Sequence, residues 1–274
     1  MLLLLLACTD PQTAFEHTTF ELVDTERALP PLGAHPGAPE RAITLHVWSD
    51  AHDRPSTRPL LLLAHGVDGL PEKFDRYATL LAREGYVVAA PRFPATSADS
   101  DVGGFAGLAD FANQPGDLQF SYDWLASAVD DDAHPLHDRY DPAQLGLIGH
   151  SLGAATALVW GHYDCCRSQA VVASLLSAPP YEVVGNVFPG TPDPSHPTVL
   201  VHGTEDATVP PSESEALAQD IDALARVLLP GIGHSDAIEA QQPMDAQDVL
   251  VRVTVGLFDE HLKGEDGALA AALP

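Results

Sequence analysis

The chain predicts an α/β fold: one mostly parallel, eight-stranded sheet with helices on both faces and no large cap domain. Three observations carry this. Apolar runs alternate along the chain with segments of helical period, the pattern of strand–helix–strand units. Runs such as "PLLLLAHG" (59–66) are apolar throughout rather than at every second residue, as strands buried on both faces are. The chain has 274 residues, 45% of them apolar, enough for one large core, and no linker or internal repeat divides it.

Each element follows in order. "TTFELVDTER" (18–27) and "RAITLHVWSD" (41–50) read as the opening strands, joined by the Pro- and Gly-rich loop "ALPPLGAHPGAPE" (28–40). After the 59–66 strand, "PEKFDRYATLLAREG" (71–85) reads as a helix, with proline at its start and glycine at its end. "YVVAAPRFP" (86–94) is the next strand. Residues 95–116 form a long connection without periodicity, and "DLQFSYDWLASAV" (117–129) returns to helical period. "DDDAHPLHDRYD" (130–141) is a solvated loop with no known metal-ligand spacing. "QLGLIGHS" (144–151), "AVVASLLSAPP" (170–180), "TVLVHGTED" (198–206) and "ARVLLPGIGH" (225–234) are the remaining strands. "YEVVGNVFPGTPDPSHP" (181–197) is a Pro/Gly-rich excursion. "SESEALAQDID" (212–222) and a closing segment over 246–264 are helices.

Composition limits the partners. The formal charge of −26 repels nucleic acid and anionic membrane surfaces. Residues 1–8, "MLLLLLAC", are too short an apolar run to span a bilayer and read as an export signal. Leu5-Leu6-Ala7-Cys8 resembles a bacterial lipobox, which implies lipidation of Cys8, export to the cell envelope or beyond, and membrane contact only through that anchor. Residues 9–17 then form a linker and 18–274 a single domain. Cys165 and Cys166 are adjacent and admit either a vicinal disulfide or two buried thiols. No second Cys/His pair stands at ligand spacing, so no metal is expected.

The chemistry centres on Gly149-His150-Ser151-Leu152-Gly153, between an apolar strand and the helix-forming "AATALVW". A sharp strand-to-helix turn lifts a serine hydroxyl above the sheet, and flanking glycines let the backbone pack where a Cβ would clash. The alternative is an ordinary helix-capping serine. A nucleophilic serine needs a base, and the base a carboxylate. Asp206 ends one strand and His234 ends the next, so both reach the carboxyl edge of the sheet, where ligands bind in such folds. Among 13 histidines, His234 is the one that comes just past a strand after the candidate acid, in the order Ser, acid, His. Asp206 is preferred to its neighbour Glu205, whose side chain points the other way, and Asp236 is too close to His234. His65, His150 and His202 are assigned packing and loop hydrogen bonding. An oxyanion hole needs two backbone N–H groups: Leu152 after the serine, and Val67 in "HGVDG" (65–69). Asp68 in that loop is a puzzle beside a developing anion.

These motifs carry a resemblance. "AHGVDG", "GYVVAAPRFP", "NQPGD", "GHSLGAATAL" and "VHGTEDATVP" resemble the bacterial α/β-hydrolases near platelet-activating-factor acetylhydrolase, chlorophyllase and dienelactone hydrolase. The resemblance implies a Ser151–His234–Asp206 triad that cleaves small-molecule carboxylic esters through an acyl-enzyme, without a cofactor. Phe93, Phe105, Phe111, Tyr181 and Phe188, in or beside the two excursions, are the candidate substrate-binding side chains of an open cleft. Two other readings stand beside this one: a cutinase-like hydrolase of polymeric esters, and a non-catalytic ligand-binding member of the fold.

Overall fold

The computed structural model of the chain describes residues 15–50 and 58–274. Its eight strands are β1 (Phe15–Asp24), β2 (Arg41–Asp50), β3 (Pro59–Ala64), β4 (Val87–Arg92), β5 (Asp141–His150), β6 (Val171–Ser177), β7 (Thr198–Gly203) and β8 (Ala225–Leu229). They form one sheet in the order β1-β2-β4-β3-β5-β6-β7-β8. β2 is antiparallel to both its neighbours, and every pair from β4 to β8 is parallel. The chain leaves β3 for β4 on one side and β5 for β6 on the other. The ends of β3 and β5 therefore flank the point where the winding reverses, where open α/β sheets leave a crevice.

Why this sheet is buried on both faces is visible in β3. All six residues of "PLLLLA" are inaccessible. The period-2 alternation of a strand sends Leu60 and Leu62 into one core cluster and Leu61 and Leu63 into the other. The first core is closed by α2 (Gln114–Asp130) and α3 (Leu152–His162), through Leu118, Leu125 and Leu158. The second is closed by α1 (Asp75–Arg83) and by the long helix Asp245–Leu262, through Tyr77, Leu81, Leu257 and Phe258.

Several boundaries differ from the sequence expectation. β1 begins at Phe15 rather than 18, because its whole length pairs with β2, Phe15 opposite Asp50. The 71–85 helix opens with a single 3₁₀ turn at Pro71–Phe74. Residues 181–197 contain α4 (Tyr181–Val187), and β8 stops at Leu229, where it loses its pairing with β7. With α5 (Pro211–Asp220) and α6 (Asp245–Leu262), the chain ends in an additional short helix, α7 (Ala268–Ala272), packed on α6.

The 95–116 connection is also not structureless. It carries a 3₁₀ segment, Gly104–Asn113, that runs into α2 at Gln114. A buried ion network anchors it. Arg41 at the start of β2, wholly inaccessible, binds Asp110 with Nη1 at 3.1 Å and Nη2 at 2.7 Å, and Asp117 with Nε at 2.8 Å and Nη2 at 2.6 Å. Arg27 adds a second cation 2.9 Å from Asp117. Burial pushes the Asp117 carboxyl up, against the pull of Arg41 and Arg27. Removing either member of such a pair strands a buried charge, typically at a cost of about 3–5 kcal/mol.

Candidate active site

The turn from β5 into α3 is where the chain departs most from ordinary backbone geometry. Ser151 has φ 54° and ψ −126°, a conformation that L-residues adopt only under strain of order 1–3 kcal/mol. Two contacts enforce it. A Cβ on Gly153 would lie 2.1 Å from the carbonyl oxygen of Ala64, and one on Gly149 would lie 2.5 Å from Ala154 Cα, so the elbow packs against β3 and its own helix only with glycine there. The Ser151 N–H donates to the Ser177 carbonyl at 2.9 Å. Its side chain makes no capping hydrogen bond, so Ser151 is not a helix-capping serine.

The hydroxyl instead meets His234. Ser151 Oγ lies 2.8 Å from His234 Nε2, and His234 Nδ1 lies 2.7 Å from Asp206 Oδ2. A carboxylate only accepts, so Nδ1 carries the proton and Nε2 of the neutral ring is free to accept from the serine. The Asp206 side chain is inaccessible, whereas His234 keeps 17% exposure and Ser151 is half-buried. Burial alone pushes the Asp206 carboxyl up. The His234 hydrogen bond and the N–H groups of Thr208 and Val209, each 2.8 Å from Oδ1, outweigh it and hold the carboxyl below its usual range. Glu205 is exposed, and Asp236 accepts from the Gly233 N–H at 2.9 Å within its own turn.

The loop after β3 passes directly above the serine: a Cβ on Gly66 would fall 2.8 Å from Ser151 Cβ. Among the described residues nothing accepts from the N–H groups of Val67 or Leu152, so both donors are free. Asp68 is exposed, at φ 51°. Its N–H donates to Thr96 at 2.9 Å and its carbonyl accepts from Lys73 Nζ at 2.7 Å, so the main chain of the puzzling residue is tied on both sides. His65 shapes this loop. Its Nδ1–H donates to the Gly66 carbonyl at 2.7 Å, and its Nε2 accepts from the Phe93 N–H at 3.0 Å, so the ring is a neutral clamp. Burial pushes its pKa to about 4. His202, nearer the acid, donates from Nε2 to the Val209 carbonyl at 2.9 Å.

The aromatic wall expected of the excursions is not built as expected. Phe93 and Phe111 are core residues, at 0% and 2% exposure. Phe93 packs on His65, and Phe111 meets Phe188 edge-on at 5.3 Å, so these rings pin the loops to the core because burying them stabilises more than exposing them. Tyr181 is half-buried and donates to Asp220 at 2.5 Å. The side chain of Phe105 and the whole of Cys8 lie outside the described residues. Cys165 and Cys166 form a vicinal disulfide, with Cys165 exposed and Cys166 half-buried, rather than a pair of buried thiols. Hollows of about 300, 460 and 420 Å³ are lined by none of Ser151, Asp206 and His234.

The chain has an α/β-hydrolase-type fold, with a hydrogen-bonded Ser151–His234–Asp206 set at the carboxyl edge of its sheet. No family model matches the sequence, and no curated protein does. Among solved structures, the chain is similar to a ferulic acid esterase from Streptomyces cinnamoneus, with a TM-score of 0.69 and 19% identity over 92% of this chain and 91% of that one. At that identity the likeness establishes the shared fold: an eight-stranded, mostly parallel sheet without a cap.

Proposed function

We propose that this protein is a serine hydrolase that cleaves carboxylic esters of short or medium acyl groups through an acyl-enzyme. One observation carries the reading: a strained, half-exposed Ser151 shares a 2.8 Å hydrogen bond with an imidazole whose other nitrogen is held at 2.7 Å by a buried carboxylate. The similar protein's name, an esterase, supports the ester class.

Ser151 Oγ attacks the ester carbonyl carbon while His234 Nε2 takes the hydroxyl proton. Asp206 keeps His234 in the tautomer that can accept this proton and stabilises the imidazolium that results. The negative charge moves to the carbonyl oxygen, where the free N–H groups of Val67 and Leu152 receive it; one such donor typically contributes about 3 kcal/mol. Collapse expels the alcohol, which leaves with the proton from His234. Water then attacks the acyl-enzyme with His234 again as base, releasing the acid and restoring Ser151. These steps use side chains, main-chain N–H groups and water, so the reading invokes no cofactor.

Partial exposure of Ser151 and His234, with no cap domain among the described residues, also suits a polymeric ester, and hydrolysis of a polyester film against soluble esters tests that narrower reading. Export, with lipidation at Cys8, is part of the proposal. The vicinal disulfide supports it, since such bonds persist in oxidising compartments. The central experiment is a chain-length series of p-nitrophenyl esters with wild type and Ser151→Ala. The variant is expected to lose at least about 10⁴-fold in kcat with unchanged circular dichroism, and wild type is expected to take a phosphonate label on Ser151. Full turnover by the variant rejects the hydrolase reading, and a wild type without turnover or label is a binding protein.

A further inference from the structure

Beside the Ser–His–Asp set sits another imidazole, that of His150, the last residue of β5 and the immediate neighbour of Ser151. Its side chain is 3% exposed. Nε2 lies 3.0 Å from the main-chain carbonyl oxygen of His234. A carbonyl only accepts, so Nε2 carries the proton. The opposite nitrogen, Nδ1, is buried without a hydrogen-bond partner, with Glu239 Oε1 3.8 Å away. The ring lies 5.0 Å from the His234 ring and 6.1 Å, edge-on, from Phe74. It thus fills the gap between the end of β5, the 71–74 turn and the loop that carries His234.

That loop needs such a tie. It leaves β8 through Gly231 at φ 71°, and around His234 its hydrogen bonds are local turns or contacts with the segment after β7. Among the described residues, the one hydrogen bond to the main chain of His234 itself comes from His150. The nucleophile and the base ride on segments far apart in sequence. Their separation must hold within a fraction of an ångström for proton transfer, and a displacement near 1 Å typically loses about a hundredfold in rate.

We propose that His150 is a positioning residue: by donating from Nε2 to the His234 carbonyl, it locks the base-bearing loop to the strand that carries Ser151. The proposal rests on the reading of Ser151 and His234 as nucleophile and base. Burial, followed by the neighbouring His234, pushes the His150 pKa to about 3, so the ring stays neutral and adds no charge beside the base. Its role is geometric, and a side chain that places one N–H at the same point should replace it.

The test uses two amides of different reach. In His150→Gln the side-chain nitrogen extends as far as Nε2 and can donate to the same carbonyl; in His150→Asn it stops at the position of Nδ1. With a soluble p-nitrophenyl ester, His150→Gln is expected to keep kcat within about threefold of wild type. His150→Asn is expected to lose about ten- to a hundredfold in kcat, with KM within about twofold and both melting temperatures measured. A purely structural role would move the two melting temperatures without this split in kcat. Equal kcat values for the two variants, whether both near wild type or both low, overturn the proposal, as does a loss that falls on KM. Retained activity in Ser151→Ala would instead overturn the hydrolase reading beneath it, so the two failures are separable.

Discussion

Among the described residues two serine–histidine hydrogen bonds are short, and only one has the setting of a nucleophile. Ser151 Oγ and His234 Nε2 are 2.8 Å apart; Ser174 Oγ and His196 Nε2 are 2.6 Å apart. By distance alone the second pair is the better one. Ser174, however, is wholly buried in mid-β6, in ordinary strand geometry. The other nitrogen of His196 faces the Ser195 hydroxyl at 3.2 Å, not a carboxylate, and its ring packs 4.2 Å from that of His162. Burial, followed by the charges of His162 and Arg167, pushes its pKa to about 3. A short Ser–His hydrogen bond therefore does not define a nucleophile. Access, a strained turn that lifts the hydroxyl, and a carboxylate that stabilises the imidazolium do. The second pair is a structural tie between β6 and the segment entering β7.

Replacing each histidine breaks the comparison most directly. His234→Ala is expected to lower kcat by about 10⁴- to 10⁶-fold with little change in stability. His196→Ala is expected to leave kcat within about twofold and to lower unfolding free energy by about 1–3 kcal/mol, since it strands the Ser174 hydroxyl in the core. Ester turnover and urea denaturation of both variants check the contrast; a large loss of turnover in His196→Ala would erase it.

Asp206→Asn sharpens the comparison at the carboxylate. An asparagine at 206 can still accept from the Thr208 and Val209 N–H groups, but it no longer favours the proton on His234 Nδ1. A fall of about 10⁴-fold in kcat is expected, and steady-state kinetics at neutral pH reads it. That variant would bring the Ser151 pair close to the chemistry of the Ser174 pair.

The smallest effect is in pH. His65, His150 and His196 have folded pKa values near 4, 3 and 3, below the ordinary 6.5 of the unfolded chain. Below 6.5 the unfolded chain binds protons that the folded one does not, so stability falls as pH drops from 6.5 towards 4. Each such histidine contributes about 1.4 kcal/mol per pH unit at most. Asp206, held below its usual range, acts in the same direction at lower pH, since its stabilisation is lost as pH falls through its folded value. Urea midpoints at pH 7 and pH 5 test this. In His196→Ala the drop between the two should shrink by the share of one histidine.

Much of this was legible before the fold was known. The eight strands lie within a few residues of their expected places, because a double-faced sheet writes continuous apolar runs into the chain and turns write glycine and proline. The meeting of Ser151, Asp206 and His234 at one edge was legible because each comes after a strand, and a parallel sheet brings strand ends to one edge. The 104–113 segment was not legible, since what orders it is Arg41 reaching Asp110 and Asp117 from a distant strand. Phe93, Phe111 and Phe188 are buried rather than set in a cleft wall, because sequence shows that a ring is in or beside a loop and not which way it turns.

What the sequence determined by itself was local: where strands start and stop, where a glycine-flanked serine must turn sharply, and which residue types stand at the ends of β5 and β7 and in the loop after β8. The tertiary structure alone decided the other pairings: that His150 holds the loop carrying His234, and that His196 serves a buried serine. The reason is physical. Periodicity and turn chemistry act between near neighbours, whereas a hydrogen bond between distant residues exists only once sheet order has placed their strands side by side.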